Sequence, residues 1–229
     1  MEPSASRSSG GESRGSVSSG TAGAAVAGAT LIAVFGPLVG LSPAWIAVGL
    51  GGLLVGLTVD AAQWDGLGGH LLAESLPGGR ARLRRIACHE AGHLLLAQEN
   101  DLPVERVLVG TRACLQAGVR SNGATEFAIP DSVRMSLEDL RRWSRVLQAG
   151  IAAETLMYGS ARGGADDRAL LGRLWGLSGH DVDTAQREQR RARREVDQWL
   201  RAQQPSLEQL ADGLLQTPPV MPAPQASSD

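Results

Sequence analysis

The sequence predicts a mainly helical domain with a small β element, preceded by a helical hairpin that spans a membrane. Three observations support this fold class. No charged residue lies between Arg14 and Asp60. After residue 82, apolar residues recur at helical spacing in several successive segments. Only residues 102–119 show the short β-branched and apolar runs, interrupted by glycine, that are typical of strands.

The composition excludes several classes of function. All 22 basic residues are arginine, so the chain lacks the lysine of a phosphate-binding P-loop and cannot be an ATPase of that kind. The net charge of −2 and the aromatic content of 3% argue against a nucleic-acid partner. Cys88 and Cys114 are too few for a disulfide scaffold or a cysteine-based zinc site.

The N-terminal quarter of the chain has two parts. Residues 1–21 are rich in serine and glycine and are expected to form a disordered tail. Residues 22–59 are almost wholly apolar and are nearly long enough for two membrane spans of roughly 20 residues each. Because Pro43 would end or begin a helix, we predict two short spans, about 22–40 and 44–59. A single tilted span, a re-entrant pair and a buried hairpin of a soluble protein are the alternatives.

Basic residues flank the apolar stretch on both sides. Those before and after it are Arg7, Arg14, Arg80, Arg82, Arg84 and Arg85. Since cytoplasmic flanks carry an excess of basic residues, a hairpin with both ends in the cytoplasm, or in the stroma or matrix of an organelle, fits this pattern. The protein is thus expected to be a multi-pass membrane protein. Residues 60–81 form a glycine-containing linker, in which His70 is expected to be an ordinary surface or interfacial residue.

The helices of the C-terminal domain can be placed in order. Apolar spacing predicts a helix over 82–100, and residues 102–119 are expected to form two or three short strands. Ser136 and Asp139 resemble a capping box that opens a helix, which Gly159 would close.

Three further helices follow. One begins near Ala165, a long one covers 181–203 and a shorter one covers 206–215. The long helix has a narrow apolar stripe of Ala185, Ala192, Val196 and Trp199. Its arginine run is interpreted as a solvated face, with anionic lipid or a partner protein as the alternative. Residues 217–229 are rich in proline and serine and are expected to be disordered.

The segment His89-Glu90-Ala91-Gly92-His93 carries the main functional signal. On a helix, His89 and His93 lie on one face one turn apart, where two imidazoles can bind zinc. Glu90 can reach a metal-activated water and act as general base. The alternative is a helix with two ordinary histidines. Cys88 is interpreted as a small buried residue rather than a ligand.

A catalytic zinc site needs a third protein ligand, which here must lie far along the chain. The candidates are Glu154, Asp166, Asp167, His180, Asp181 and Asp183. Asp167 shares a helix face with inward-facing leucines, whereas Asp166 points to a more exposed side. Both aspartates could instead cap the helix N-terminus. Glu154 also faces inward, either as a group behind the metal ligands or as a buried structural acid.

In several segments the domain resembles FtsH-type membrane zinc metalloproteases. The similar segments are, in chain order, 85–93, 103–107, 149–159, 163–170 and 207–215. They lie within residues 82–216. The resemblance implies a helical zinc metallopeptidase domain in which His89, His93 and Asp167 bind Zn²⁺. The chain departs from the family at Ile151, where the family has arginine, and at Ala149, where it has glycine.

The ATPase module of that family has no counterpart in this sequence. The resemblance therefore implies a membrane-anchored, ATP-independent zinc endopeptidase that cleaves unfolded or flexible polypeptide segments near the bilayer. A homo-oligomer, or association with a full-length FtsH-type protease, would be in keeping with the family. Two other hypotheses stay open. One is a weakly active or non-catalytic membrane subunit that modulates such a protease, and the other is a zinc hydrolase with a non-peptide substrate.

Overall fold

The computed structural model describes residues 19–64, 66–128 and 134–216, with the backbone only for residues 19–26. Over these residues the chain is mainly helical, with one two-stranded sheet, as the sequence predicts. The predicted disordered tails lie outside the described residues, except that residues 19–21 belong to the first helix. The chain divides into two compact units, Met1–Val59 and Asp60–Asp229.

The first unit contains the apolar stretch. Helix α1 covers Ser19–Phe35 and continues as a 3₁₀ turn over Gly36–Val39. Gly40 has a left-handed backbone (φ 84°) and ends this turn, and helix α2 follows at Pro43–Gln63. Of the described helices, α2 alone is long and apolar enough to cross a membrane; the apolar segment Ala27–Val39 is shorter. Pro43 therefore begins a helix, while the two-span hairpin remains a prediction.

The segment predicted to be a linker contains helix α3, Leu67–Ser75, and the start of helix α4, Gly79–Glu99. The Asp60 carboxylate accepts hydrogen bonds from the first backbone N–H groups of α3, at Gly68 and Gly69, both at 2.8 Å. These bonds satisfy donors that a helix start otherwise leaves unpaired, which explains how a glycine-rich segment becomes helical.

The β element differs from its prediction. Strand β1, Val104–Val109, pairs with the antiparallel strand β2, Gly123–Phe127, and Val107 lies opposite Thr125. The intervening residues Thr111–Gln116 form helix α5 rather than a strand. A tertiary contact stabilises the start of this helix. The Glu74 carboxylate of α3 accepts hydrogen bonds from the backbone N–H of Thr111 at 2.9 Å and from its hydroxyl at 2.7 Å. Short-range β propensity yields to such contacts.

The remaining helices are those that the sequence predicts. They are α6 at Leu137–Tyr158, α7 at Ala165–Leu177, α8 at Val182–Ala202 and α9 at Gln204–Gln216. Ser136 caps α6 by accepting the Asp139 N–H at 3.1 Å, and Gly159 ends the helix with φ 74°. Both capping predictions are confirmed.

Helices α4 and α6 pack together at the centre of the second unit. Small residues line the contact, among them Ala87, Ala91, Ala149 and Ala153, and all are buried. A Cβ atom on Gly92 would lie 2.7 Å from the Ala149 carbonyl oxygen and 2.8 Å from the Ala153 Cβ. The two backbones therefore approach so closely that only glycine fits at this position, and α6 comes within reach of the histidines on α4.

Candidate metal centre

The predicted histidines lie on the face of α4 that packs against α6. His89 and His93 are buried, and so is Glu90 between them in sequence. The His89 and His93 rings lie edge to face with centroids 4.8 Å apart. The four-residue spacing on a helix therefore places both imidazoles in one buried position, as predicted.

Each imidazole is oriented by a hydrogen bond at Nδ1. His93 Nδ1 lies 2.8 Å from the carbonyl oxygen of Val146, which can only accept, so Nδ1 donates and Nε2 keeps its lone pair. His89 Nδ1 lies 2.8 Å from Glu154 Oε1 and donates in the same way when the ring is neutral. This carboxylate–histidine arrangement is common behind metal ligands because it sets the ring orientation and raises the basicity of Nε2.

Asp167 completes the group from the first turn of α7. Its Oδ2 lies 3.1 Å from His89 Nε2 and 3.3 Å from His93 Nε2. A tetrahedral site with bonds of about 2.0–2.1 Å has ligand atoms about 3.3 Å apart, so these separations fit one shared cation. The three ligand atoms lie within 4.8 Å of one another, and these residues could hold a metal ion.

The other candidate ligands lie elsewhere. Asp166 is exposed. His180 packs its ring against Trp175, with centroids 5.4 Å apart. Asp181 caps α8 by accepting the Thr184 N–H at 2.8 Å, and Asp183 is exposed on the first turn of that helix. None of these four belongs to the group of described residues that could hold a metal.

Glu154 lies behind His89, on the far side from Asp167. Besides His89, it accepts hydrogen bonds from Arg85 Nε at 2.6 Å and from the backbone N–H groups of Arg162 at 2.9 Å and Gly163 at 3.1 Å. Burial alone would raise the pKa of Glu154, but these hydrogen bonds outweigh it and lower the pKa to about 2. Glu154 is therefore an ionised, fully bonded carboxylate that orients His89.

The electrostatics of the three-residue group follow from its contacts. Burial disfavours the charged form of His89, but hydrogen bonds to Asp167 and Glu154 outweigh it and raise the pKa to about 10. Burial likewise disfavours ionised Asp167, yet both histidines lower its pKa below the usual range. The group thus favours a positive charge between its ligand atoms, which either a proton or a metal cation can supply.

Glu90 points towards the small sheet. Its Oε2 accepts a hydrogen bond of 2.8 Å from the Thr125 hydroxyl on β2. Burial raises the pKa of Glu90, while the nearby histidines and the Thr125 hydrogen bond partly offset that rise. A buried carboxyl with a raised pKa is a stronger base than one in water.

Two residues of the centre, Gly150 and Thr125, are not among the site residues predicted from the sequence. A Cβ atom on Gly150 of α6 would collide with both His89 Nε2 and His93 Nε2, so this glycine keeps the space beside the ligand atoms open. The spacing of residues in α6 does not reveal this role. Thr125 had no sequence signal, since its strand follows the predicted β region.

Cys88 is buried, and burial raises the pKa of its thiol to about 12. It lies outside the ligand group, as expected.

The centre thus combines two imidazole nitrogens and one carboxylate oxygen with the carboxyl group of Glu90. This donor set suits borderline divalent cations. No family model matches the chain, and no curated protein matches it either.

Proposed function

We propose that this chain is a membrane-anchored, ATP-independent zinc metalloendopeptidase, similar to the peptidase part of FtsH-type proteases, that cleaves unfolded or flexible polypeptide segments. The observation that carries the proposal is the convergence of His89 Nε2, His93 Nε2 and Asp167 Oδ2. Glu90, the neighbour of His89 in sequence, is buried like both histidines and accepts a hydrogen bond from Thr125.

His89, His93 and Asp167 would hold the zinc ion, with Glu154 and the Val146 carbonyl keeping the imidazoles oriented. Zinc bound there would supply Lewis-acid chemistry, activating a water molecule and polarising the scissile carbonyl. Three protein ligands leave the open position that a catalytic site needs. Gly150 supports this assignment because any larger side chain would fill the space beside both Nε2 atoms.

Glu90 would move the protons of the reaction. Its carboxylate accepts a proton from the attacking water as the new C–O bond forms at the peptide carbonyl. It then delivers that proton to the amine that leaves when the C–N bond breaks. Thr125 holds Oε2 in place for this role, and the absence of a side chain at Gly123 leaves room for Oε1, which would lie 2.6 Å from a Cβ there.

Helix α2 would anchor the enzyme. Its 21 residues extend for about 32 Å, close to the roughly 30 Å of a bilayer core. Trp45 in its first turn and Trp64 just beyond its end are both exposed, and tryptophan is enriched at the two membrane interfaces. Together with the apolar segment Ala27–Val39, α2 would form the two-span hairpin, with the peptidase domain on the cytoplasmic side.

The test of catalysis compares two glutamates of α4. The protein purified in mild detergent should contain zinc and cleave an unfolded model protein. Glu90→Gln should keep its zinc and lose at least about 100-fold in cleavage rate, because the general base is gone. Glu99→Gln, at an exposed position of the same helix, should retain both.

The outcomes separate the hypotheses. Cleavage that survives Glu90→Gln would contradict the proposed mechanism. Zinc binding without Glu90-dependent cleavage of any unfolded protein would favour the modulating subunit of a full-length FtsH-type protease, or a hydrolase of non-peptide substrates.

Substitutions of two adjacent aspartates test whether Asp167 is the third zinc ligand. Asp167→Ala should lower the zinc content measured by atomic absorption, because it removes one of three protein ligands. Asp166→Ala removes an equal charge from the exposed neighbouring position and should leave the zinc content unchanged. Equal zinc in both variants would refute Asp167 as the third ligand.

A further inference from the structure

Helix α3 and the turn before it expose a group of large apolar side chains. Trp64, Leu72 and Leu76 are 51%, 49% and 54% exposed. Leu76 follows the last residue of α3, and its N–H still bonds to the Leu72 carbonyl, so the two leucines lie one helical turn apart on the same side. Exposed apolar side chains that lie together mark protein–protein or membrane interaction sites.

The opposite side of α3 is attached to the domain. Leu67 is buried, and the Glu74 carboxylate accepts hydrogen bonds from the N–H and hydroxyl of Thr111. His70 contacts Arg82 of α4. These contacts on the inner side mean that Leu72 and Leu76 cannot turn inward without breaking them.

Helix α3 is hydrogen-bonded to the first residue of the second unit, Asp60. Asp60 lies in the last turn of α2, and its carboxylate holds the N–H groups of Gly68 and Gly69. The Asp60 carbonyl oxygen accepts the Trp64 N–H at 2.8 Å. Only residues 64–66 separate the end of α2 from the start of α3 along the chain, so the exposed apolar side chains follow the proposed membrane span closely in sequence.

We propose that Trp64, Leu72 and Leu76 insert into the headgroup region of the bilayer that α2 enters, and so hold the domain against the membrane surface. This inference rests on the membrane anchoring in the proposed function. Interfacial helices bury their apolar face about 5–10 Å deep at the headgroup boundary, where tryptophan is also enriched. Arg80 is exposed, forms no ion pair with the described residues and is suited to anionic headgroups.

The attachment of α3 to the rest of the domain bears on which substrates the enzyme would cleave. Glu74 joins α3 to α5, the chain continues from α5 into β2, and Thr125 of β2 holds Glu90. Helix α3 is thus connected to the proposed catalytic base by two hydrogen-bonded contacts and the stretch of chain between them. A domain held at the membrane surface in this way would favour substrate segments close to the membrane.

The test places a fluorescent label at single cysteines, Leu72→Cys and Leu76→Cys, in the full chain reconstituted into nanodiscs of neutral and anionic phospholipids. Native Cys88 and Cys114 are buried and should not compete for the label. Nitroxides attached near the lipid headgroup should quench both labels more strongly than nitroxides near the acyl-chain end. Leu177→Cys on α7 is the matched control, because Leu177 is an equally exposed leucine at 57%, and its label should not be quenched.

Each outcome has one meaning. Labels at 72 and 76 that stay accessible to an aqueous quencher overturn the inference, and so does equal lipid quenching at 177. Labels shielded from water but not quenched by lipid nitroxides also overturn it, since a second copy of the chain or another protein would then cover the patch. A chain that stays soluble without detergent and does not enter nanodiscs refutes the membrane anchor itself, which is the separate failure of the proposed function.

Discussion

Gly150 faces the two imidazoles from α6, where a Cβ atom would collide with His89 Nε2 and His93 Nε2. Alanine at this position would displace the ligands or occupy the space beside the metal. Overpacking of this kind costs about 1–3 kcal/mol, so Gly150→Ala should weaken zinc binding by roughly 10–100-fold. Competition with a chromogenic chelator measures the change.

The matched control is Gly172→Ala. Gly172 is a helical glycine of α7 whose added Cβ would meet nothing within 4 Å. This substitution should leave zinc affinity unchanged and stabilise the domain by up to about 1 kcal/mol through helix propensity. If Gly150→Ala bound zinc as tightly as Gly172→Ala, the close approach of Gly150 to the site would be disproved.

Cys114 is fully buried, and burial raises the pKa of its thiol from 9.0 to about 12. At about pH 8 the native thiol should resist iodoacetamide and react only after unfolding, because the thiolate is the nucleophile.

Between pH 9 and pH 12 the Cys114 thiol ionises in the unfolded chain but stays neutral in the folded protein. The contribution of Cys114 to the free energy of unfolding therefore falls as pH rises. The difference in unfolding free energy between the protein and Cys114→Ala should therefore shrink above pH 9 in denaturant titrations. A difference that stays constant up to pH 11 would contradict the raised pKa.

At the scale of secondary-structure elements, the contact between α4 and α6 brings the site together. Gly92 permits this contact, because an added Cβ there would lie 2.7 Å from the Ala149 carbonyl oxygen. In Gly92→Ala, the higher helix propensity of alanine stabilises α4 by about 1 kcal/mol, but the added methyl group must push the backbones of α4 and α6 apart.

We expect Gly92→Ala to destabilise the domain by about 1–2 kcal/mol net, since the backbone of α6 cannot give way as a flexible side chain can. Urea unfolding followed by the emission of the buried Trp143 and Trp175 measures this change. Gly172→Ala again serves as control and should shift the midpoint in the opposite direction. Equal midpoints for the two variants would show that α4 and α6 can separate without cost.

The elements also show where local sequence information is sufficient. Ser136 and Gly159 predict both ends of α6, because a cap is a local hydrogen bond or a local backbone conformation. α5 was predicted as part of a β region, because its helix depends on Glu74, which lies 37 residues earlier in the chain. A contact over that distance leaves no periodic pattern in the sequence.

At the scale of the whole molecule, zinc should couple the parts of the domain that carry its ligands, α4 and α7. A ligand present at 100 times its dissociation constant stabilises a folded protein by about 2.7 kcal/mol. For a domain of this size, removing zinc with a chelator should therefore lower the melting temperature by about 5–10 °C. The emission of Trp143 and Trp175 reports the transition.

Asp167→Ala provides the comparison for metal removal. Its melting temperature should not respond to the chelator, because zinc no longer binds at the concentrations used. If the chelator lowered both melting temperatures equally, its effect would not arise from zinc at this site.

The sequence by itself determined the helical class, the apolar stretch, the positions of most helices and the pairing of His89, Glu90 and His93 on one helix. These features depend on periodicity, charge and capping, which act over one or two turns. It also ranked Asp167 above Asp166, because helical spacing separates an inward face from an exposed one. Only the tertiary structure decided that α7 meets α4 at the two Nε2 atoms, that Glu154 orients His89, and that Thr125 and Gly150 belong to the centre. Those contacts join residues far apart in the chain, whereas periodicity and capping act over only one or two turns, so local patterns in the sequence do not encode them.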